Sequence, residues 1–368
     1  MGMTPRDRLL TLLNGGTPDQ VPWFGDLDYW ATGLIARNAK PADFRTSAGY
    51  LDWHRDLQVG FYLQGYFPYR ATFDGCRVTV RNEGNRKITL VETPHGTLQD
   101  CWEYMPNSVS DAPTEHFIKS AADLKAWRYY YEHTFFEPDY ALVERRNELI
   151  GDQGILLAYL PHTPWMQLLV IDCGVETLTY LAFEAEEELA YTLQVMKKKL
   201  DEAATLAVAC PAEALMIPEN LSSEMVGPHF FEKYLRSDQT DWLHKIKAAG
   251  KYSFIHMDGS LKGLLQQEAS LPVTVLEALT PAPVGDIPIE QWAQWAGNNH
   301  TVLWGGIPGV YFTDLISDAE FDRHIRQVLT VMRTAPRYVL GVADQVPPNA
   351  LESRVRRVAL LVEQFGQY

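Results

Sequence analysis

From Gly154 onward the chain repeats one pattern, a short apolar run followed by a stretch of helical spacing. The runs are GILLAYL, EALMIPEN, YSFIHMDG, VTVLEALT, TVLWGG and YVLGVADQ. Among the stretches that alternate with them are HFFEKYLRSDQTDWLHKIKAAG, AEFDRHIRQVLTVMRT and LESRVRRVALLVEQFG. Five successive runs end at Glu219, His256, Glu277, Gly305 and Asp344, separated by 37, 21, 28 and 39 residues. Parallel strands need a long crossover, and helices at these intervals supply it. With the N-terminal elements included, eight βα units are expected, which makes an α/β fold of the (β/α)8 TIM barrel type, one domain over 1–368. A doubly wound open sheet is the alternative, but no glycine-rich phosphate loop follows an early strand to support it.

The N-terminal third has a different texture. TPRDRLLTLL opens a helix with Thr4 as N-cap and Pro5 in the first turn. A short apolar segment, Val21 to Phe24, ends at Gly25 and Asp26. RVTVRNEGNRKITLVETPHGTLQDCWEY then alternates apolar and polar residues around an NEGN turn, the pattern of an antiparallel hairpin inserted over 70–105.

Charge and composition narrow the partners. A net charge of −15 repels phosphate backbones, so nucleic acid is not expected. No apolar run approaches the ~20 residues of a membrane span, and the charged, helical N-terminus is unlike a signal peptide. Cys76, Cys101, Cys173 and Cys210 are scattered, without a CxxC pair, and read as reduced thiols of a cytoplasmic protein. A small-molecule ligand is the expected partner, and a homodimer is compatible with the composition.

Strand ends are where the chemistry is expected. A packed strand seldom stops on groups that are costly to desolvate, yet YSFIHMDG stops on His256 with Asp258 two residues on. In a barrel these ends converge on one mouth. His256, Glu219, Glu277 and Asp344 meeting there would need a cation between them, and zinc suits a nitrogen and oxygen donor set. Asp258 either faces the mouth or caps the next helix. Asp26 is a substrate-contact candidate, and Asn220 is a polar orienter or a helix-start residue. Trp23, Tyr29, Trp30, Trp165 and Trp304 either line an aromatic pocket or pack as core. Tyr159 and His162, in AYLPHTPW, either hydrogen-bond a substrate or belong to a proline-built turn.

Several stretches resemble the uroporphyrinogen decarboxylase superfamily. They are MTPRDRLLTLLNGGTPDQVPW, HFFEKYLRSDQTDWLHKIKAAGKYSFIHMDGSLKGLL, VLEALTPAPVGDI, VLWGGI and YVLGVADQVPPNALESRVRRV. The segment G-K-x-x-x-x-H-x-x-G, Gly250 to Gly259, is the most specific. The resemblance spans Thr4 to the C-terminus and implies a TIM barrel. It covers tetrapyrrole decarboxylases and zinc-dependent methyltransferases that exchange methyl groups with a corrinoid carrier protein. Decarboxylases of this superfamily carry an arginine-rich N-terminal motif, whereas VPWFGDLDYW is acidic and aromatic. Corrinoid methyltransferases often hold zinc with His-x-Cys and a distant Cys; here Asp258 and Asp344 stand about where the thiols would be. The resemblance therefore implies an O-demethylase-like methyltransferase. Zinc would polarise an ether oxygen, and a corrinoid on a partner protein would accept the methyl group. A decarboxylating lyase and a non-catalytic binding barrel are the alternatives.

Overall fold

The structure, a computed structural model, describes residues 2–62, 66–298, 300–335 and 337–368. Among these the chain forms twelve strands in three sheets. Strands β1 (Tyr69–Phe73) and β6 (Thr134–Pro138) pair as an antiparallel ribbon. Strands β2 (Arg77–Glu83), β3 (Arg86–Thr93), β4 (Gly96–Met105) and β5 (Ser110–Glu115) form an antiparallel meander. The remaining six are parallel and lie in sequence order: β7 (Leu157–Tyr159), β8 (Ala214–Ile217), β9 (Tyr252–His256), β10 (Val275–Leu279), β11 (Val302–Pro308) and β12 (Tyr338–Ala343).

Each of the six apolar runs contains one parallel strand, so the rhythm in the sequence is the rhythm of the sheet. Sequential order with no reversal removes the doubly wound alternative, which requires a switch point. Two further extended segments join the outer strands by parallel bridges: Trp23 with Leu340, Phe24 with Gly60, and Phe61 with Gly154. The bonds are regular, with Phe24 N donating to Leu340 O at 3.0 Å and Gly60 N to Trp23 O at 3.0 Å.

The antiparallel insertion is larger than the sequence reading of 70–105. Its first turn falls at Gly84–Asn85 inside NEGN, where Gly84 takes φ +64° at no steric cost. Pairing continues past Met105 through β5, none of whose side chains is fully buried. A one-sided edge strand of that kind carries little apolar alternation, which is why it was not legible.

Two apolar cores result. Phe24, Tyr62, Leu157, Met216, Phe254, Val275, Trp304 and Val339 pack inside the parallel sheet, together with Leu9, Leu12 and Leu13 of the helix Pro5–Leu13. That helix starts as read: Asp7 N donates to Thr4 Oγ1, Thr4 N donates to Asp7 Oδ2, and Pro5 occupies the first turn. A larger core fills the space between strands and helices.

Candidate active site at the strand ends

His256 is the last residue of β9, and Glu277 is its register partner on β10. Paired residues of neighbouring parallel strands point to the same face, so both side chains reach one point. His256 Nδ1 lies 2.7 Å from Glu277 Oε2, and Tyr62 donates its hydroxyl to Glu277 Oε1 at 2.6 Å. The Glu277 side chain is 1% exposed, and both oxygens are occupied. The other ring nitrogen, His256 Nε2, stands 3.8 Å from Asp344 Oδ1, and the Asp344 side chain is 55% exposed. The sequence therefore brings together Tyr62, Glu277, His256 and Asp344 in a line from the buried interior to solvent.

Electrostatics fix the state of the imidazole. Burial disfavours its charged form, but Glu277, and then Asp258 and Asp344, outweigh that penalty and push the His256 pKa up to about 10. At neutral pH His256 is an imidazolium with Nδ1–H held by Glu277 and Nε2–H turned to the mouth. His162 experiences the opposite. Burial, reinforced by the charge on His256, drives its pKa down to about 4, so it is a neutral imidazole. Asp344 is raised above the usual carboxylate range by burial, with His256 opposing and Asp258 and Glu277 adding to the rise.

Asp26 lies on the same side. Its carboxyl accepts from Asp28 N at 2.8 Å and Gln345 Nε2 at 2.9 Å, and its carbonyl accepts from Val346 N at 2.9 Å. Burial, then the neighbouring Asp28, raises its pKa well above the ordinary value. With both oxygens occupied, Asp26 anchors the loop that carries Asp344, a non-glycine residue at φ +71°. Tyr159 is partly buried within the field of Asp26, Glu277 and Asp344 and completes the wall.

Other expected residues are placed elsewhere. Trp304 is fully buried, its ring 4.4 Å from that of Tyr62, so it floors the site without reaching solvent. Trp23 faces a cavity of about 400 Å³ at the opposite ends of the strands, shared with Pro5, Arg8, Arg55 and Gln153. Tyr29 donates to Ser108 O and ties the helix Asp28–Ala36 to the meander turn. Trp30 packs at a tilt against Trp53, and Trp165 stacks on Tyr234, as ordinary core. Asn220 is exposed, at φ +51°.

The expected metal set does not assemble. Glu219 turns towards Thr163, Gln239 and Glu268 in the helix layer. Glu277 is already bonded on both oxygens, and His256 offers one nitrogen. Among the described residues no three His, Cys, Asp or Glu side chains are grouped to hold a metal ion. The zinc expectation thus meets a donor set that does not fit it. Two residues missing from the sequence reading, Tyr62 and Gln345, take part in the site. Tyr62 sits in the apolar run VGFY, whose strand is too short to stand out, and Gln345 directly follows Asp344.

No helix of the described residues is long and apolar enough to cross a membrane. Neither a family model nor a curated protein matches the chain. Among solved structures, the chain is similar to a methyltransferase from Methanosarcina mazei, with 14% identity, a TM-score of 0.63 and 99% of each chain covered. At that identity the likeness is one of fold: the α/β architecture of a parallel sheet wrapped in helices is common to both chains along their whole length.

Proposed function

We propose that this chain is a methyltransferase that demethylates a small methoxylated compound, with His256 as the general acid for the departing oxygen. The two bridged segments at Trp23–Phe24 and Gly60–Phe61 are read as the strands that complete an eight-membered barrel. The observation that carries the reading is the His256 imidazolium, braced by Glu277 and Tyr62 and presenting Nε2–H beside the half-exposed Asp344. The fold likeness to a protein described as a methyltransferase agrees with it.

In the proposed reaction the methyl–oxygen bond breaks with its electron pair going to oxygen. The proton on His256 Nε2 goes to that oxygen, so the product leaves as a neutral alcohol or phenol. The methyl acceptor, a reduced corrinoid on a carrier protein, enters as a second substrate and contributes the electron pair of the new bond. Glu277 then faces a neutral imidazole, which regains its proton from solvent through the mouth. Protonating the leaving group does the task that zinc would otherwise do, and no metal is required.

The test is methylcobalamin formation from cob(I)alamin with guaiacol as the methoxylated probe. His256→Gln is expected to lower the rate by about 10²- to 10⁴-fold. Dialysis against EDTA is expected to leave the wild-type rate unchanged. A rate abolished by EDTA and restored by zinc would refute His256 as the acid that replaces a metal.

A further inference from the structure

A second cavity, of about 340 Å³, opens beside the mouth and is used by no step of the proposed reaction. One wall comes from the β1–β6 ribbon, where Ala71 pairs with Phe136 and strand alternation puts Tyr69 on the same face. The other walls are Tyr130 and Tyr131 of the helix Leu124–Glu132, His162 in the loop after β7, and Gln167 at the end of the helix Pro164–Gln167. Phe67 stands at the rim, 40% exposed, with its ring edge-on to Tyr159 at 5.4 Å. Among the described residues, neither His256, Glu277 nor Asp344 lines this cavity.

The polar groups of its lining are short of partners. The hydroxyls of Tyr69 and Tyr131 make no hydrogen bond among the described residues, although Tyr131 is only 7% exposed. His162 Nδ1 is buried and has no partner among them either. Gln167 Nε2 donates to Asp172 Oδ1 at 3.1 Å, while its carbonyl oxygen accepts from no described residue. Native interiors pair nearly all such groups, so several orphans around one cavity mark a place where a ligand supplies the missing bonds.

The lining also selects the kind of ligand. No Asp, Glu, Lys or Arg lines the cavity among the described residues, and His162 is neutral. A carboxylate, a phosphate or an ammonium ion would therefore be desolvated there without a counter-charge. The aromatic side chains favour a flat ring packed edge-on or offset against them. The volume lies at the small end of the about 300–1,000 Å³ range of ligand cavities, which suits a small ring system. We propose that this cavity binds an uncharged phenol, its ring against Tyr69, Tyr130 and Phe136, its O–H donating to the imidazole of His162 and its oxygen accepting from Tyr131. The site stands apart from methyl transfer, since it uses neither the His256 proton nor a methyl acceptor.

The test is binding of 2-naphthol to the full chain at neutral pH, followed by ligand fluorescence, with naphthalene and 2-naphthoate as controls. Wild type should bind 2-naphthol about tenfold more tightly than naphthalene, the worth of roughly one buried hydrogen bond, and 2-naphthoate no more tightly than naphthalene. His162→Phe should erase the preference for the hydroxyl, and His162→Asn should restore part of it. Ala71→Trp, at an exposed position of the ribbon, should fill the cavity and abolish binding of both uncharged ligands. No binding of 2-naphthol by wild type, or equal affinity for 2-naphthol and naphthalene, would overturn the proposal. Undiminished binding by Ala71→Trp would overturn it too, by putting the ligand elsewhere. The wild-type comparison and Ala71→Trp decide the matter even if His162→Phe does not fold. Because the readout is binding and not turnover, failure of the methyl-transfer reading would leave this result unchanged.

Discussion

At the residue scale, the charge of the His256 imidazole is set by Glu277, Asp258 and Asp344. Its carbon-bound protons should report a titration near pH 10 by NMR. Asp344→Asn should lower that midpoint, because one of the acidic neighbours is neutralised. A midpoint near the ordinary value in the wild type would detach His256 from Glu277. Tyr62→Phe strips one donor from a buried carboxylate and should cost about 1–3 kcal/mol in denaturant unfolding. His256 and Glu277 were legible because ladder alternation aims residues up to the last paired position, whereas Asp344 lies one residue past β12 and was marked by residue type alone. Glu219 was not, because Ile217 ends β8 and a turn bond from Glu219 N to Ile217 O at 3.0 Å redirects the chain. Beyond the ladder, alternation no longer says which way a side chain points.

At the scale of elements, β11 and β12 support the site from below. A Cβ on Gly341 would come within 2.4 Å of the Trp304 ring, and that ring is packed against Phe24, Tyr62 and Phe254. Gly341→Ala should therefore destabilise the protein by about 1–3 kcal/mol through overpacking. Trp304→Ala should cost about 3–5 kcal/mol and release Tyr62, so lost activity would accompany lost stability in calorimetry. All six parallel strands were readable as apolar runs. The bridged segments at Trp23–Phe24 and Gly60–Phe61 span too few residues to show a period, although Val21 to Phe24 was picked out as an apolar segment. Trp23 shows the limit of reading residue type without direction. Its neighbour Phe24 points into the interior, so Trp23 points out of it.

At the scale of the whole molecule, the raised groups lean one way, and the buried His54 and His162, held low, lean the other way as pH falls through the ordinary histidine range. Burial holds Glu219 and Glu268 each up at about 8, so their contribution is lost between about 4.5 and about 8, and that of His256 between 6.5 and about 10. Asp26 is also raised, so it too favours the folded state while protonated. The carboxyls held low by salt bridges, such as Asp19, Glu115 and Asp322, are partly exposed, and their opposing effect is screened. The melting temperature should accordingly fall from about pH 7.5, above the range in which unfolded histidines titrate, to about pH 10. A profile that is flat over that range would mean these groups are more hydrated than their burial implies. The fold was legible at this scale because the strand–helix rhythm runs through two thirds of the chain.

The helix Pro5–Leu13 has a consequence for traffic. Leu9, Leu12 and Leu13 stopper the interior from beneath, and Trp304 adds a lid of ring below Tyr62. Among the described residues, this packing fills the interior between the mouth and the opposite end. In the proposed reaction, donor and acceptor would then queue at one doorway, and the demethylated product would leave by the route its precursor used, after the acceptor has withdrawn.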